Sequence, residues 1–273
     1  MHLYDYAKGL VLEAGNNLRQ WMTEALEIET KSNPNDLVTN VDKAVEQFLV
    51  DQITTTYPQH QIIGEEGHGH DVAALEGITW VIDPIDGTLN FVHQGENFAI
   101  SVGVFKEGKP CAGFVYDVMR DTLYHAKAGF GAYQNERLLE PVADTALAQS
   151  IIAVNANWLA GKPISPVLEP VVSASRSTRA YGSAALEIVH VATGQLAAYM
   201  TPRLQPWDYA GGMIILNEVG GVATNFLGES LALTHPNSVV VGNKAVHEEI
   251  MSQYLQPQHD FLTALHQKYH VKK

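Results

Sequence analysis

The segment Asp83-Pro84-Ile85-Asp86-Gly87-Thr88 places two carboxylates, a glycine and a hydroxyl directly after the apolar run ITWVI. Pro84 fixes its own φ and biases Asp83 away from helix. The chain therefore turns here with Asp83, Asp86 and the Ile85 carbonyl able to face one point. Such oxygens are hard ligands and suit Mg²⁺. Gly87 lets backbone approach a ligand closely, and the N–H groups after it can hold a phosphate oxygen. Thr88 offers a hydroxyl to position a water. A bare D-x-x-D-G is more often an Asx turn with solvent-facing aspartates. The apolar run before it and the Thr after it strengthen the case for a site without deciding the matter.

Three more carboxylates stand at the edges of expected elements. Glu65 ends a short apolar strand in Gly64-Glu65-Glu66, where a solvated side chain is the ordinary case. Asp42 falls in the first turn of a helix, where an acid complements the dipole. Asp208, in Trp207-Asp208-Tyr209-Ala210-Gly211, opens a helix and would serve as its N-cap. Each alone reads as structural. Together, Asp42, Glu65, Asp83, Asp86 and Asp208 all lie where α/β folds place ligands. If they converge, cations must offset their repulsion. His68, His70 and His93 are near in sequence, but Mg²⁺ prefers oxygen and a Gly-rich loop exposes its side chains, so they stay outside the metal set.

The elements that must position these groups follow from periodicity. Leu3, Ala7, Leu10, Ala14, Leu18, Trp21 and Ala25 recur at helical steps, predicting a helix over 2–28. KSNPNDLVTN breaks it, and a second helix begins near Thr39 or Asn40 and ends before Pro58. QHQIIG and ITWVID read as buried strands flanking a Gly-rich loop. Residues 97–139 read as three or four strands with hairpins at Glu107-Gly108 and Arg120-Asp121. Beyond a seam near 140–150, strands (151–156, LAAYMT, VAT, SVVVGN) alternate with helices over 183–194, from Asp208 to Gly220, and over 244–255. The expected organisation is an N-terminal α+β half over 1–145 with most metal ligands, a C-terminal α/β half over 146–256 completing the site, and a tail over 257–273 that is a short helix or loosely held, in one compact unit. Interleaved helices and strands with an antiparallel block imply layered α and β with two sheets.

The chain has 273 residues, 30 acidic and 17 basic, for a formal charge of −13. That charge repels polyanions, so nucleic-acid binding is not expected. A single cysteine, Cys111, excludes an internal disulfide and fits a reducing compartment. The N-terminus lacks the basic start and apolar run of a signal peptide, and no stretch is long and apolar enough to span a membrane. A cytoplasmic protein without membrane attachment is expected.

The arrangement resembles the inositol monophosphatase family from about residue 3 to 256. Asp83-Pro84-Ile85-Asp86-Gly87-Thr88-Leu89-Asn90-Phe91 is similar to its first signature, and Trp207-Asp208-Tyr209-Ala210-Gly211 through Gly220-Gly221 to its second. Lys31, Asp36-Leu37-Val38-Thr39 with Asp42, Gly64-Glu65-Glu66 and Gly182-Ser183-Ala184-Ala185 keep the family's order and spacing.

The resemblance implies an αβαβα sandwich of the inositol monophosphatase and fructose-1,6-bisphosphatase type, a homodimer, and a Mg²⁺-dependent, Li⁺-sensitive hydrolase. Glu65, Asp83 and the Ile85 carbonyl would hold one Mg²⁺, and Asp83, Asp86 and Asp208 a second. Glu65 would also serve a third. Asp42 with Thr88 would orient and deprotonate the attacking water. Asp86, Gly87, Thr88 and Asp208 would contact the substrate, with Gly182, Ser183 and Ala184 on its alcohol side. Such ions supply what monoester hydrolysis needs, namely charge neutralisation, an activated water and leaving-group stabilisation.

In animal members a Glu six residues before the Trp of the second signature contacts inositol hydroxyls, and Thr201 stands there in this chain. Arg203 nearby could recognise a second phosphate or another anion, or be a solvated surface residue. The expected substrate is a small phosphorylated metabolite, inositol-1-phosphate first. NADP(H), fructose 1,6-bisphosphate and 3′-phosphoadenosine 5′-phosphate are the alternatives. A reading of another class is a non-catalytic sugar-phosphate-binding regulator, against which the intact set from Asp42 to Asp208 speaks.

Overall fold

The computed structural model describes residues 2–31, 37–69, 72 and 74–269. Asp36 and His70 lie outside the described residues. The chain divides into two compact units, neither continuous in sequence. The first comprises Met1–Leu139, Gly182–Leu186 and Trp207–Ile215; the second comprises Glu140–Tyr181, Glu187–Pro206 and Leu216–Lys273.

In the first unit, α1 (Leu3–Trp21) leads into a hairpin of β1 (Ile28–Thr30) and β2 (Leu37–Thr39), then α2 (Asn40–Thr56). A seven-stranded sheet follows from β3 (Gln61–Gly64), β4 (Ile78–Asp86), β5 (Ala99–Lys106), β6 (Lys109–Asp117), β7 (Thr122–Lys127), β8 (Ala132–Gln134) and β9 (Arg137–Leu138), in that spatial order. Only β3–β4 is parallel. The short helix α3 (Thr88–Gln94) sits between β4 and β5. The expected first helix was too long. It ends at Trp21, where Thr23 donates its N–H and hydroxyl to the Gln20 carbonyl, and Ala25 beyond it is exposed. The antiparallel block holds five strands rather than three or four, because the Ala132–Leu138 stretch turns back once more. Both expected hairpins occur, with Glu107 and Asp121 at positive φ.

The seven-stranded sheet is buried on both faces. On one, Ala7, Leu10, Leu18, Val45, Leu49 and Ile53 of α1 and α2 pack with Trp80, Ile82, Val102, Val104, Phe114 and Tyr116. The opposite face of β5 and β6 offers small residues, Ser101, Gly103 and Gly113, and takes the first half of α6 (Pro206–Glu218). A Cβ on Gly113 would lie 2.3 Å from the Gly211 carbonyl oxygen, and one on Gly211 would lie 2.6 Å from that of Phe114. The backbones touch because neither side chain intervenes. That approach carries Asp208 to the sheet.

The second unit is built on a five-stranded sheet of β10 (Ile151–Val154), β11 (Ser177–Arg179), β12 (Ala198–Leu204), β13 (Val222–Thr224) and β14 (Asn237–Gly242), ordered β11-β10-β12-β14-β13. The pairs β11–β10 and β10–β12 are parallel, the others antiparallel. Helices α4 (Ser165–Ala174), α5 (Ala184–Ala192), α7 (Lys244–Ile250) and α8 (His259–Tyr269) complete the chain. Both α4 and β11 fall in a stretch where sequence periodicity marked no element. The helix expected over 244–255 is α-helical to Ile250 and then makes a π-helical turn over Met251–Leu255. The tail forms α8, docked by Leu262 and Leu265 onto a core of Ile152, Val167, Leu168 and Phe226.

The close approach of α6 has a measurable cost if blocked. Gly113→Ala forces backbone apart in a packed layer and should destabilise the protein by about 1–3 kcal/mol, read by urea unfolding. An unchanged midpoint would show that the helix has room to move.

Candidate active site

Asp83 and Asp86 are three residues apart, so a regular strand would point them to opposite faces. The register of β4 against β5 shifts between them, Asp83 pairing with Ser101 and Asp86 with Ala99. This bulge turns both carboxylates to one side. Pro84 sits inside it, where a ladder N–H is dispensable. Asp208 joins from α6, whose start is held by the Ser101 hydroxyl donating to the Trp207 carbonyl at 3.3 Å. Carboxylate oxygens of Asp83, Asp86 and Asp208 all lie within 4.8 Å of one another. Asp208 is therefore no N-cap. It is the third residue of its helix and faces the cluster.

Glu65 follows β3, its N–H donating to the Ile82 carbonyl at 3.2 Å. Its carboxyl group is hydrogen-bonded to Asp83. The Lys31 ammonium bridges Glu65 (3.0 Å) and Glu66 (2.6 Å). Burial works against the Lys31 charge, yet the two glutamates outweigh it and hold its pKa above the usual lysine range.

Asp42 meets the structural reading given to it and also reaches Thr88. As the third residue of α2 it closes a capping box, its Oδ2 accepting from the Thr39 N–H (2.9 Å) and hydroxyl. Its Oδ1 accepts from the Thr88 hydroxyl at 3.3 Å. The same hydroxyl lies 3.1 Å from the Ile85 carbonyl. Gly87 stands between the bulge and α3 at φ 98°, a conformation natural to glycine. A Cβ there would lie 3.2 Å from the carbonyl oxygens of Asn97 and Gly182. Gly182 and Ser183 are thus adjacent. The Ser183 hydroxyl and the Ala185 N–H (2.7 Å) both donate to Asp86 Oδ2. Ser183, expected only as an alcohol contact, orients a carboxylate.

One participant was missed. Glu46, buried on α2, accepts from the Glu66 N–H at 2.7 Å and pairs with His68 Nδ1 at 2.8 Å, fixing the turn that carries Glu65. Its signal was an acid one helical turn after Asp42, on the apolar stripe of Val45 and Leu49. His68 has this partner, and His93 lies near the end of α3. Thr201 is buried on β12. Arg203, on the same strand, lines a cavity of the second unit.

The electrostatics follow from burial. Asp83 is pushed well above the usual carboxylate range by desolvation and by Glu65, Asp86 and Asp208. Desolvation lifts Asp42 and Asp86 to about 6 each, against hydrogen bonds from Thr39 and from Ser183 and Ala185 respectively. Glu65 and Glu66 are raised by burial and lowered in part by Lys31. A cluster of hard oxygen donors whose only nearby cation is one lysine, among the described residues, fits a divalent ion of the Mg²⁺ type.

Comparison with known proteins agrees. The model of the inositol monophosphatase family matches residues 2–259. This chain belongs to the inositol monophosphatase family. Its reaction class is that of a phosphoric monoester hydrolase. It is 51% identical over 253 residues to inositol-1-monophosphatase of Bacillus subtilis, covering 92% of this chain and 96% of that protein. It is 57% identical to inositol monophosphatase-II of Staphylococcus aureus MSSA476, with a TM-score of 0.93 and full coverage of both chains. The layered α/β fold is therefore that of the family. SaIMPase-II with inositol monophosphate bound aligns at 56% identity and TM-score 0.91, over 98% of this chain and 99% of that one, and a 2′AMP-bound form at 58%. More distant relatives have been solved with Mg²⁺ and phosphate, or as a LiCl-soaked inhibitory complex.

The raised carboxyls set the sign of a pH effect. Between about pH 4 and 7 the folded, metal-free protein binds more protons here than the unfolded chain, whose acids titrate near 4. Stability from this cluster therefore falls as pH rises through that window. The melting temperature of EDTA-treated protein should drop from pH 5.5 to 8, and Mg²⁺ should raise it more at pH 8. Asp83→Asn, which removes an acid raised by burial and by its carboxylate neighbours, should flatten the metal-free slope. A slope unchanged in this variant would count against the cluster.

Proposed function

We propose that this protein hydrolyses inositol-1-phosphate to inositol and phosphate with Mg²⁺ as cofactor, by direct in-line attack of water. The observation that carries this reading is the convergence of Asp83, Asp86 and Asp208 oxygens within 4.8 Å, beside the Asp42–Thr88 pair. The inositol-1-monophosphatase relative and the inositol monophosphate-bound structure support the substrate.

In this proposal Glu65, Asp83 and the Ile85 carbonyl would hold one ion, and Asp83, Asp86 and Asp208 another, with Glu65 able to serve a third. When bound, these ions neutralise phosphate charge, acidify water and stabilise the leaving oxygen. The chain's own groups do the rest. The Thr88 hydroxyl and Asp42 Oδ1 hold the attacking water, and Asp42 takes its proton. Burial raises the Asp42 carboxyl in the metal-free protein, the direction that suits a general base. The N–H groups of Gly87 and Thr88, ahead of the first intrahelical bonds of α3, bind a phosphate oxygen. Gly182, Ser183 and Ala184 border the alcohol. No covalent enzyme intermediate is needed.

A second reading has specific support. The 2′AMP-bound relative and an IMPase/NADP phosphatase solved with NADP and Ca²⁺ suggest a 2′-nucleotide phosphate as an alternative substrate. Thr201, where animal members carry glutamate, leaves one fewer acceptor for inositol hydroxyls. We further propose a homodimer in the cytoplasm, inhibited by Li⁺. No helix among the described residues is long and apolar enough to cross a membrane.

Asp83→Asn should lower Mg²⁺-dependent kcat by at least about a hundredfold while circular dichroism stays native. Retained turnover would refute the assignment. Initial rates on inositol-1-phosphate, NADP⁺, fructose 1,6-bisphosphate and 3′-phosphoadenosine 5′-phosphate decide the substrate. Turnover confined to NADP⁺ would replace the first reading with the second.

A further inference from the structure

The second unit contains a cavity of about 250 Å³ that takes no part in the chemistry above. Its floor is apolar. Ile164 precedes α4, Phe226 follows β13, and Leu262 and Leu265 project from α8. The first three are buried to within 4% exposure. Two exposed cations, Lys162 and Arg203, line the same cavity. No lining residue is acidic, although acids outnumber Lys and Arg by 30 to 17 in the chain. Among the described residues, neither cation forms an ion pair with a carboxylate.

An apolar floor beneath a cationic rim selects an amphipathic anion. Largely apolar lining with a few placed polar groups is the usual character of a small-molecule site. The volume corresponds to roughly eight water-sized groups, enough for one ring and a short chain. A guanidinium pairs with a carboxylate through two parallel hydrogen bonds. Ser238 and His266 are the polar side chains of the lining besides the two cations and the Trp158 indole, so most hydroxyls of a polyol phosphate would face Phe226 and the leucines, at a cost in desolvation. The wall from α8 also lies past residue 259, where the match to the family model ends. None of the lining residues is a candidate metal ligand.

We propose that this cavity is a separate binding site for a small carboxylate with an apolar, ring-sized body, its carboxylate held by Arg203 and Lys162 and its body against Phe226, Leu262 and Leu265. Arg203 is then an anion contact, as its position near the second signature suggested, but for a ligand distinct from the phosphate ester.

The test is calorimetric titration of the full chain in Mg²⁺ buffer with three probes of one shape: 3-phenylpropionate, 3-phenylpropan-1-ol and 3-phenylpropylamine. The carboxylate should bind at least tenfold tighter than the alcohol, and the amine weaker than either. The double variant Lys162→Gln, Arg203→Gln should bring the carboxylate down to the alcohol's affinity and leave the alcohol unchanged, which also shows that the fold is intact. Leu265→Trp, which fills the floor, should abolish binding of both. Saturating inorganic phosphate should leave the carboxylate affinity unchanged. Equal affinity for the three probes, no binding at millimolar concentration, displacement by phosphate, or full affinity in Leu265→Trp would each overturn the proposal.

Discussion

Like charges brought together out of water set the terms for the first unit. Two carboxylate oxygens within 4.8 Å of each other repel by at least on the order of 3 kcal/mol at an effective dielectric near 20. The cluster contains several such pairs. Burial first, and this repulsion second, make Asp83 and Asp86 hold protons above the ordinary range. A fold that keeps these groups in place must hold them against their own repulsion. The rigid parts around the cluster are what make that possible.

Those parts act from several directions. The bulge in β4 places Asp83 and Asp86 on one side. Lys31 and Glu46 hold the Glu65–Glu66 turn from two flanks. Ser183 and Ala185 fix Asp86 from the opposite side. Asp208 arrives because glycines on β6 and α6 let backbone meet backbone. Asp42 divides its two oxygens between a helix cap and the Thr88 hydroxyl. The cap is what aims its other oxygen at Thr88, so the structural reading and the proposed one are not exclusive.

The parts read well from sequence were those with local causes. The amphipathic stripes of α1 and α2, the apolar run of β4 and the Glu107-Gly108 hairpin each follow from spacing or turn chemistry within a dozen residues. Boundaries failed where hydrophobic spacing is silent. α1 ends at Trp21, where Thr23 donates its N–H and hydroxyl to the Gln20 carbonyl, a turn that periodicity alone does not mark. The strand at Ser177–Arg179 and the helix at Ser165–Ala174 gain their definition from the second sheet and core they join. Glu46 was overlooked because one glutamate on an apolar stripe looks like an irregularity until its partners, Glu66 and His68, are seen beside it.

The sequence by itself determined the donor chemistry. Hard oxygen ligands at element edges, a proline-glycine turn between two of them and a hydroxyl beside it are properties of residue type and order. It also carried the family signatures, because these are short and contiguous. Only the tertiary structure decided convergence. Residues 65, 83, 86 and 208 are brought together by strand register, a bulge and a backbone contact, and each depends on chain more than a hundred residues distant or on a pairing partner. Charge repulsion makes that convergence costly, so no local preference could have produced it; packing of the surrounding layers supplies the energy that holds it.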